Sequence, residues 1–186
     1  MRARDIPNVI SIIRILLTAP VIYLLLQAQY LPALLLFAFA GVSDGIDGFL
    51  AKRYGWQSRL GSILDPLADK LLLVSSFLTL AWMGHLHWYL VAAIFIRDLV
   101  ILGGAVAYHY LIGQYELRPS WLSKINTVCQ ILLILVVMFN SGVYDAGWDV
   151  INGMSYLVWF TTVASGAGYV WQWGRSALRQ SRLEHE

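Results

Sequence analysis

The sequence predicts an all-α integral membrane protein with six transmembrane helices and a short interfacial amphipathic segment at its N-terminus. Two features of the composition point to this fold class. Hydrophobic residues make up 59% of the 186 positions and charged residues only 13%, whereas soluble domains are about a quarter charged. The apolar residues also collect in long runs separated by short polar loops, which is typical of a chain whose solvent is the bilayer.

Six apolar runs are long enough to span a bilayer, for which about 20 mainly apolar residues are needed. They lie at Asn8–Leu26, Leu31–Leu50, Leu60–Trp82, Trp88–Ile112, Leu122–Phe139 and Val150–Trp173. Because the sequence shows no internal repeat or low-complexity tract, we expect one membrane domain over residues 1–186. The first residues lack the pattern of a cleavable signal peptide, so we expect an integral protein of a bacterial inner membrane.

The start of the first run has a pattern of its own. Large aliphatic residues recur there at helical spacing, at Ile6, Val9, Ile10 and Ile13. Polar residues lie between them, which predicts an amphipathic entry that rests in the membrane interface before the chain crosses. The alternative is an ordinary first helix whose Arg14 reaches out to the headgroup region.

Lysine and arginine residues predict the orientation of the chain. They lie before the first run, in the second and fourth loops and after the last run, at Arg2, Arg4, Lys52, Arg53, Arg59, Arg118, Lys124, Arg175, Arg179 and Arg182. Cytoplasmic loops carry the excess of these residues. We therefore expect both termini and the two basic loops to face the cytoplasm, as an even number of spans also requires.

Several other classes of site are not supported by the sequence. Cys129 is the only cysteine, which excludes an intrachain disulfide, and its apolar surroundings suit a small core residue. The four histidines lack the spacing of a zinc site. The formal net charge of +2 is uninformative as a total, and we expect no nucleic-acid partner.

Four aspartates stand out in this apolar chain. Asp44 and Asp47 are three positions apart near the end of the second run, and Asp65 and Asp69 are four apart near the start of the third. Each spacing places two side chains on one helix face. Because both pairs fall at the cytoplasmic ends of neighbouring antiparallel helices, we expect them to form one group of four carboxylates.

Such a group requires compensation, because like charges in a membrane protein repel and are costly to bury. Protonation is one solution and bound cations are the other. Oxygen ligands suit hard divalent ions, so we expect Mg²⁺ or Mn²⁺, with two ions plausible, and phosphate chemistry on a lipid-linked substrate. Glycines at Gly45, Gly48 and Gly61 favour close approach of a ligand, although they also suit close helix packing in lipid.

Ion-coupled transport is the alternative from another functional class, since transporters also place aspartates within the membrane. The acidic residues here cluster at one end of the predicted bundle, and no polar path continues to the other face. Asp145 and Asp149 lie in the outer loop, where hydration explains them. The sequence therefore favours an enzyme over a transporter.

The aspartate region resembles the signature of the CDP-alcohol phosphatidyltransferase family, D-x-x-D-G-x-x-A-R-x8-G-x-x-x-D-x-x-x-D. In this chain it reads Asp44-x-x-Asp47-Gly48-x-x-Ala51-Lys52, eight residues, and then Gly61-x-x-x-Asp65-x-x-x-Asp69. Lys52 departs from the usual arginine. Lysine keeps the charge but loses the two-pronged hydrogen bonding of a guanidinium to phosphate, so either Lys52 or Arg53 is expected to make that contact.

The resemblance implies a homodimer with its active site open to the cytoplasm. It implies that the four aspartates hold two divalent metals and that the donor is CDP-diacylglycerol. It also implies that Asp69 is the general base that deprotonates the acceptor hydroxyl, with CMP as the leaving group. The residues expected to bind the CDP-lipid are Gly48, Ala51, Lys52, Arg53 and Gly61.

The acceptor must be recognised by other polar residues. The candidates are Arg97, Arg118, Lys124 and Asn126. We expect Arg97 to face the cavity and an anionic group rather than its neighbour Asp98, because adjacent helical residues point to different faces; the alternative is a structural role in the core. For Arg118 and Lys124, the alternative is an ordinary cluster of positive charge at the cytoplasmic interface.

Two branches of the family compete for the acceptor assignment. The CMP-forming cardiolipin synthases resemble the chain at Ile6–Asn8, Leu60–Lys70 and Ser123–Gln130. The phosphatidylglycerophosphate synthases tend to carry glutamate and a second arginine where this chain has Asp98 and Ala105. Loss of a basic residue suits a phosphodiester acceptor such as phosphatidylglycerol. We therefore predict a cardiolipin synthase, with glycerol 3-phosphate as the alternative acceptor.

Overall fold

A computed structural model describes residues 6–54, 61–111, 120–144 and 147–183, apart from side chains at 6–8, 46–52, 62–63, 105–111 and 172–183. All regular secondary structure in these ranges is α-helical. The six helices are α1 (Ile6–Leu26), α2 (Tyr30–Tyr54), α3 (Gly61–Trp82), α4 (Trp88–Leu111), α5 (Trp121–Gly142) and α6 (Trp148–Leu183). The predicted all-α class is thus confirmed, with one helix on each apolar run.

The helices differ in how well they suit a bilayer. Two stretches within the described residues, Val9–Leu26 and Trp121–Gly142, are long and apolar enough to cross a membrane. Helix α6 has 36 residues, which corresponds to about 54 Å at 1.5 Å per residue. That length exceeds the hydrocarbon thickness of about 30 Å. The helix thus extends past the predicted run Val150–Trp173 into the basic C-terminal segment.

The chain divides into two compact units. The first consists of Met1–Leu86 and Ile134–Trp148, and the second consists of His87–Leu133 and Asp149–Glu186. Helix α5 contributes its first part to the second unit and its last part to the first. Neither unit is formed from one continuous stretch of sequence.

The first unit is organised around α1, which packs against both α2 and α3. Apolar side chains fill the packed faces, and those buried include Val21, Leu25, Ala33, Phe37, Phe77, Leu80, Val137 and Met138. Large apolar side chains on the other faces are exposed, for example Leu16 and Phe39. This distribution suits a bundle whose outer surface is solvated by lipid.

The end of the first unit opposite the aspartates is held by close backbone and ring contacts. The turn between α1 and α2 passes through Ala28 at φ 54°. A Cβ added at Gly142 would lie only 2.7 Å from the Cβ of Tyr30. The backbone of α5 therefore approaches this turn too closely for a side chain at position 142. The Tyr30 hydroxyl lies 2.7 Å from His85 Nε2, and the His85 ring stacks on Trp148 at 6.0 Å.

The second unit contains parts of α4, α5 and α6. Its buried apolar residues include Leu90, Ile94, Leu133, Ile151 and Val158. Its interior is also rich in polar groups, with Arg97, Asn126, Gln130, Ser155, Thr161, Thr162 and Ser165 buried. In lipid, polar side chains that bond to one another across helices help to hold them together.

Candidate active site

The centre of the candidate site is Arg14 on α1. Its Nη2 atom forms an ion pair with Asp44 on α2, and its Nη1 atom forms an ion pair and hydrogen bond with Asp69 on α3. The side chain is 2% exposed. One guanidinium thus joins carboxylates from two other helices, which its flat, forked donor geometry permits.

A polar stripe on α1 positions this arginine. Ser11, Arg14 and Thr18 are three and four positions apart, which places them on one helix face, and all three are buried. The Ser11 hydroxyl donates to Asp65 on α3. The Thr18 hydroxyl donates to the carbonyl of Arg14 at 3.0 Å, which satisfies that hydroxyl within the helix.

Three of the four predicted ligands therefore surround the same part of α1. Asp65 and Asp69 are one turn apart on α3, and Asp44 reaches the same arginine from α2. The fourth, Asp47, lies in α2, but its side chain is outside the described residues. We expected the two pairs to face each other directly; Asp44 and Asp69 instead meet across Arg14.

The donor set suits a hard divalent cation, because carboxylate oxygens are the ligands that Mg²⁺ and Mn²⁺ prefer. Asp44 and Asp69 remain 34% and 46% exposed, so both can be reached by a ligand. No group of three or more acidic, histidine or cysteine residues has the arrangement of a metal site among the described residues. The Asp47 carboxylate lies outside those residues.

The residues predicted to bind the CDP-lipid are only partly described. Gly61 is buried at the first position of α3, and Arg53 is exposed near the end of α2. Gly48, Ala51 and Lys52 lie in α2, but their side chains are outside the described residues. Their proposed contacts with the donor stay predictions.

An apolar cavity adjoins the candidate site. It has a volume of ≈ 260 Å³ and lies between α1 and α2. Its lining consists of Ile10, Ile13, Arg14, Leu17, Phe39, Ala40 and Ser43. Arg14 is the charged member of this lining, so an apolar space leads directly to the arginine that binds the carboxylates.

A second buried arginine is built differently. Arg97 Nη1 donates to Asp98 Oδ1 at 2.7 Å, and Nη2 donates to the hydroxyls of Ser165 at 3.0 Å and of Ser123. The expectation that Arg97 and Asp98 do not pair was wrong. A helical wheel considers only the directions of Cβ atoms, whereas the long arginine side chain can turn back to the nearest carboxylate in a region of low dielectric constant.

Two of the other predicted acceptor residues, Asn126 and Lys124, make contacts of a different kind. Asn126 is buried and its Oδ1 accepts hydrogen bonds from Thr161 and Thr162, both at 2.9 Å. Lys124 is on the exposed side of α5, with its Nζ 5.1 Å from the centre of the Trp121 ring. Arg118 lies outside the described residues.

Arg14 is the residue of the candidate site that the sequence analysis missed. The alternative of an arginine that reaches the headgroups was wrong, because the side chain is buried and pairs with Asp44 and Asp69. A signal was present: the polar stripe formed with Ser11 and Thr18 points inward, and a buried intramembrane cation requires a counter-charge. Asp44 and Asp69 supply that charge.

Comparison with known proteins agrees with the geometry of the carboxylates. The sequence model of the CDP-alcohol phosphatidyltransferase family matches residues 4–166. The chain belongs to the CDP-alcohol phosphatidyltransferase family. The expectation of an enzyme of this family is therefore confirmed, and the matched region includes the whole aspartate signature.

Curated relatives fall into the two branches considered above. A rice (Oryza sativa subsp. japonica) chloroplastic CDP-diacylglycerol–glycerol-3-phosphate 3-phosphatidyltransferase is 34% identical over 90% of this chain and 56% of its own length. A probable CMP-forming cardiolipin synthase of Drosophila melanogaster is 32% identical over 89% of this chain and 56% of its own length. A probable phosphatidylglycerophosphate synthase of Mycobacterium tuberculosis (strain H37Rv) is 30% identical over 91% of this chain and 81% of its own length.

These relatives identify the family of the chain and leave its acceptor open. The chain spans just over half the length of the rice and fly proteins. Both acceptor branches appear among its relatives at similar identity. Family membership therefore does not distinguish glycerol 3-phosphate from phosphatidylglycerol as the acceptor.

Proposed function

We propose that this protein transfers the phosphatidyl group of CDP-diacylglycerol to the free hydroxyl of phosphatidylglycerol, which gives cardiolipin and CMP. The observation that carries the proposal is the convergence of three signature carboxylates, Asp44, Asp65 and Asp69, around one buried face of α1. The apolar cavity beside Arg14 provides a suitable environment for part of a lipid acyl chain near that site.

In this proposal Asp69 is the general base. It accepts the proton of the acceptor hydroxyl, whose oxygen bonds to the β-phosphorus of the donor while the bond to the CMP oxygen breaks. General bases must lie within reach of the proton that they remove, and Asp69 is accessible enough for such contact. Divalent cations held by Asp44, Asp47, Asp65 and Asp69 would neutralise the pyrophosphate and polarise the hydroxyl.

The choice of acceptor is supported by the state of Arg97. Its charge is already paired with Asp98, and serine hydroxyls occupy another of its donors. A phosphate monoester such as glycerol 3-phosphate carries more charge than a phosphodiester and requires more cationic partners. Glycerol 3-phosphate remains the second candidate, because the rice and M. tuberculosis relatives are named for phosphatidylglycerophosphate synthesis.

The acceptor is tested by supplying the two candidates in separate reactions. Purified protein in detergent micelles receives CDP-diacylglycerol and Mg²⁺ or Mn²⁺, with phosphatidylglycerol in one reaction and glycerol 3-phosphate in another. CMP release and the lipid product are measured in both. Cardiolipin formed only with phosphatidylglycerol supports the proposal. A product formed only with glycerol 3-phosphate assigns the other branch, and no CMP with either acceptor rejects the activity.

The phosphate contact of the donor is tested at Lys52. The variant Lys52→Arg restores the usual family residue and should retain or raise activity, since a guanidinium can bind phosphate with two hydrogen bonds. Lys52→Ala should lower activity. Equal CMP release from both variants and the unmodified protein would assign the contact to Arg53 or another group.

We further propose that all six helices span a bacterial inner membrane, that both termini face the cytoplasm and that the protein is a homodimer. The start of α1 would then lie at the cytoplasmic interface. The alternation of basic and uncharged loops supports this topology. Reporter fusions after Leu26, Tyr54, Trp82 and Leu111 measure it, with inactive and active reporters expected to alternate. Cross-linking in native membranes tests the dimer.

A further inference from the structure

We propose that Arg14 is a built-in cation that occupies the carboxylate site and competes with divalent metal ions for Asp44 and Asp69. This inference rests on the proposed function, because it assumes that these carboxylates are metal ligands. It adds that the chain supplies its own competitor for the metal. Arg14 is thus a positioning residue in the metal-free protein.

The first support is the identity of the partners. Both terminal nitrogens of Arg14 are used, one on Asp44 and one on Asp69. These are signature carboxylates from two different helices. A guanidinium and a divalent cation are both positive, so they cannot bind the same carboxylate oxygens without strong repulsion. Metal that binds these same oxygens, Oδ1 of Asp44 and Oδ1 of Asp69, would therefore loosen at least one of the two ion pairs.

The second support is the burial of Arg14. A buried charge without a partner is strongly unfavourable, and this side chain is 2% exposed. If metal displaces Arg14 from one carboxylate, the guanidinium needs another anion nearby. The pyrophosphate of a CDP-linked donor is such an anion. Binding of metal and binding of the nucleotide headgroup should therefore strengthen each other, as thermodynamic coupling requires.

The third support is the anchoring of α1 itself. Ser11 binds Asp65 one turn away from the arginine, and α1 packs on both α2 and α3. The carboxylates consequently have a neutralising partner on a helix that already contacts theirs. Without metal, Arg14 limits their mutual repulsion and links three helices. Metal bound to the carboxylates would reduce their repulsion in place of Arg14 and would weaken the link that Arg14 forms between the helices.

The experiment compares Mn²⁺ binding by purified protein in detergent, measured by the electron paramagnetic resonance signal of free Mn²⁺ with and without CDP. In Arg14→Gln the Kd for Mn²⁺ should fall about tenfold, the size expected when a directly coupled charge is removed. CDP should tighten Mn²⁺ binding in the unmodified protein and much less in this variant. The melting temperature in EDTA should fall, and Mn²⁺ should restore it.

Arg14→Lys provides a second variant if Arg14→Gln does not fold. An ammonium group binds as a point charge and cannot bridge both carboxylates as the guanidinium does, so the Kd for Mn²⁺ should fall by a smaller factor, about threefold. Arg97→Gln is the matched control: it removes a buried arginine in the other unit and should leave the Kd for Mn²⁺ unchanged.

Two results would overturn the inference, and they differ in what else they remove. If Arg14→Gln or Arg14→Lys binds Mn²⁺ with the same or lower affinity than the unmodified protein, Arg14 is not a competitor, while the metal site stands. If neither the unmodified protein nor the variants bind Mn²⁺, the carboxylates are not a metal site, and the metal-dependent part of the proposed function fails as well.

Discussion

The two units of this protein each bury an arginine beside aspartate, yet the two sites are built for different purposes. Arg14 binds carboxylates that belong to two other helices and are 34% and 46% exposed. Arg97 binds the carboxylate next to it on its own helix, which is 18% exposed, and serines from α5 and α6 complete its hydrogen bonds. The first arrangement is open to exchange with a ligand, and the second is closed.

The difference shows that burial of an arginine is not by itself a sign of function. Both cations satisfy the requirement for a nearby counter-charge in an apolar region. What distinguishes them is the accessibility of their partners and the number of elements joined. Changes at the open site should therefore affect chemistry, whereas changes at the closed site should affect stability.

The largest effect is expected at the open site from Asp69→Asn. The amide keeps the shape of the side chain but cannot accept the acceptor's proton, so CMP release should fall by about 10²–10⁴-fold. The initial rate of CMP release measures this. Asp149→Asn, in the first turn of α6, is the control and should change the rate little. Full activity of Asp69→Asn would exclude it as the base.

The closed site should respond to Arg97→Gln with a loss of stability. Removal of the guanidinium breaks its ion pair with Asp98, and breaking a buried pair in this way costs about 3 kcal/mol or more. Chemical unfolding in detergent measures it. The double variant Arg97→Met/Asp98→Leu should recover part of the loss, because an apolar pair needs no compensation. No recovery would show that the serine contacts, not the charges, dominate.

A smaller effect is expected where Asn126 joins α5 to α6. Asn126→Ala removes the acceptor for two buried threonine hydroxyls, which should cost about 1 kcal/mol in a membrane protein. Thr127→Val is the matched control, because among the described residues the Thr127 hydroxyl donates within its own helix, to the carbonyl of Ser123 at 3.1 Å. Equal unfolding free energies for both variants would contradict a bridging role.

The smallest effect concerns pH and lies at the other end of the first unit. Burial lowers the pKa of His85 below its ordinary value of 6.5. The folded protein therefore binds a proton at His85 less readily than the unfolded chain does. The contribution of the neutral imidazole to the free energy of unfolding is complete above pH 6.5 and is lost as the pH falls below it. His85→Phe should flatten the dependence of the melting temperature on pH between about 5 and 7. If the melting temperature of His85→Phe depends on pH as steeply as that of the unmodified protein, other groups cause the pH dependence.

The sequence was sufficient for the helices and for the proximity of Asp44, Asp65 and Asp69. Helices in lipid require long apolar runs, and side-chain spacing along a helix is regular, so both features are encoded locally. Arg14, the partner of Asp44 and Asp69, could not be predicted in this way, because hydropathy does not show whether its side chain turns outward or inward. That choice depends on tertiary packing between α1, α2 and α3.

The errors at the second unit have a related cause. A helical wheel separates Arg97 from Asp98, but the length and flexibility of arginine allow the contact at 2.7 Å. Lys124 and Asn126 are two positions apart in sequence, yet one side chain lies against an exposed tryptophan ring and the other is buried among threonines. Position along the chain did not reveal which neighbouring helix each would meet.

The discontinuous first unit has a consequence for biosynthesis. Its signature carboxylates are all translated by residue 69, but Ile134–Trp148 belongs to the same unit, and Gly142 and Trp148 contact Tyr30 and His85. During synthesis, when folding proceeds from the N-terminus, the first three helices must wait for the end of α5. A nascent chain that stops before Trp148 should therefore remain open to proteolysis, although it already contains every residue of the signature.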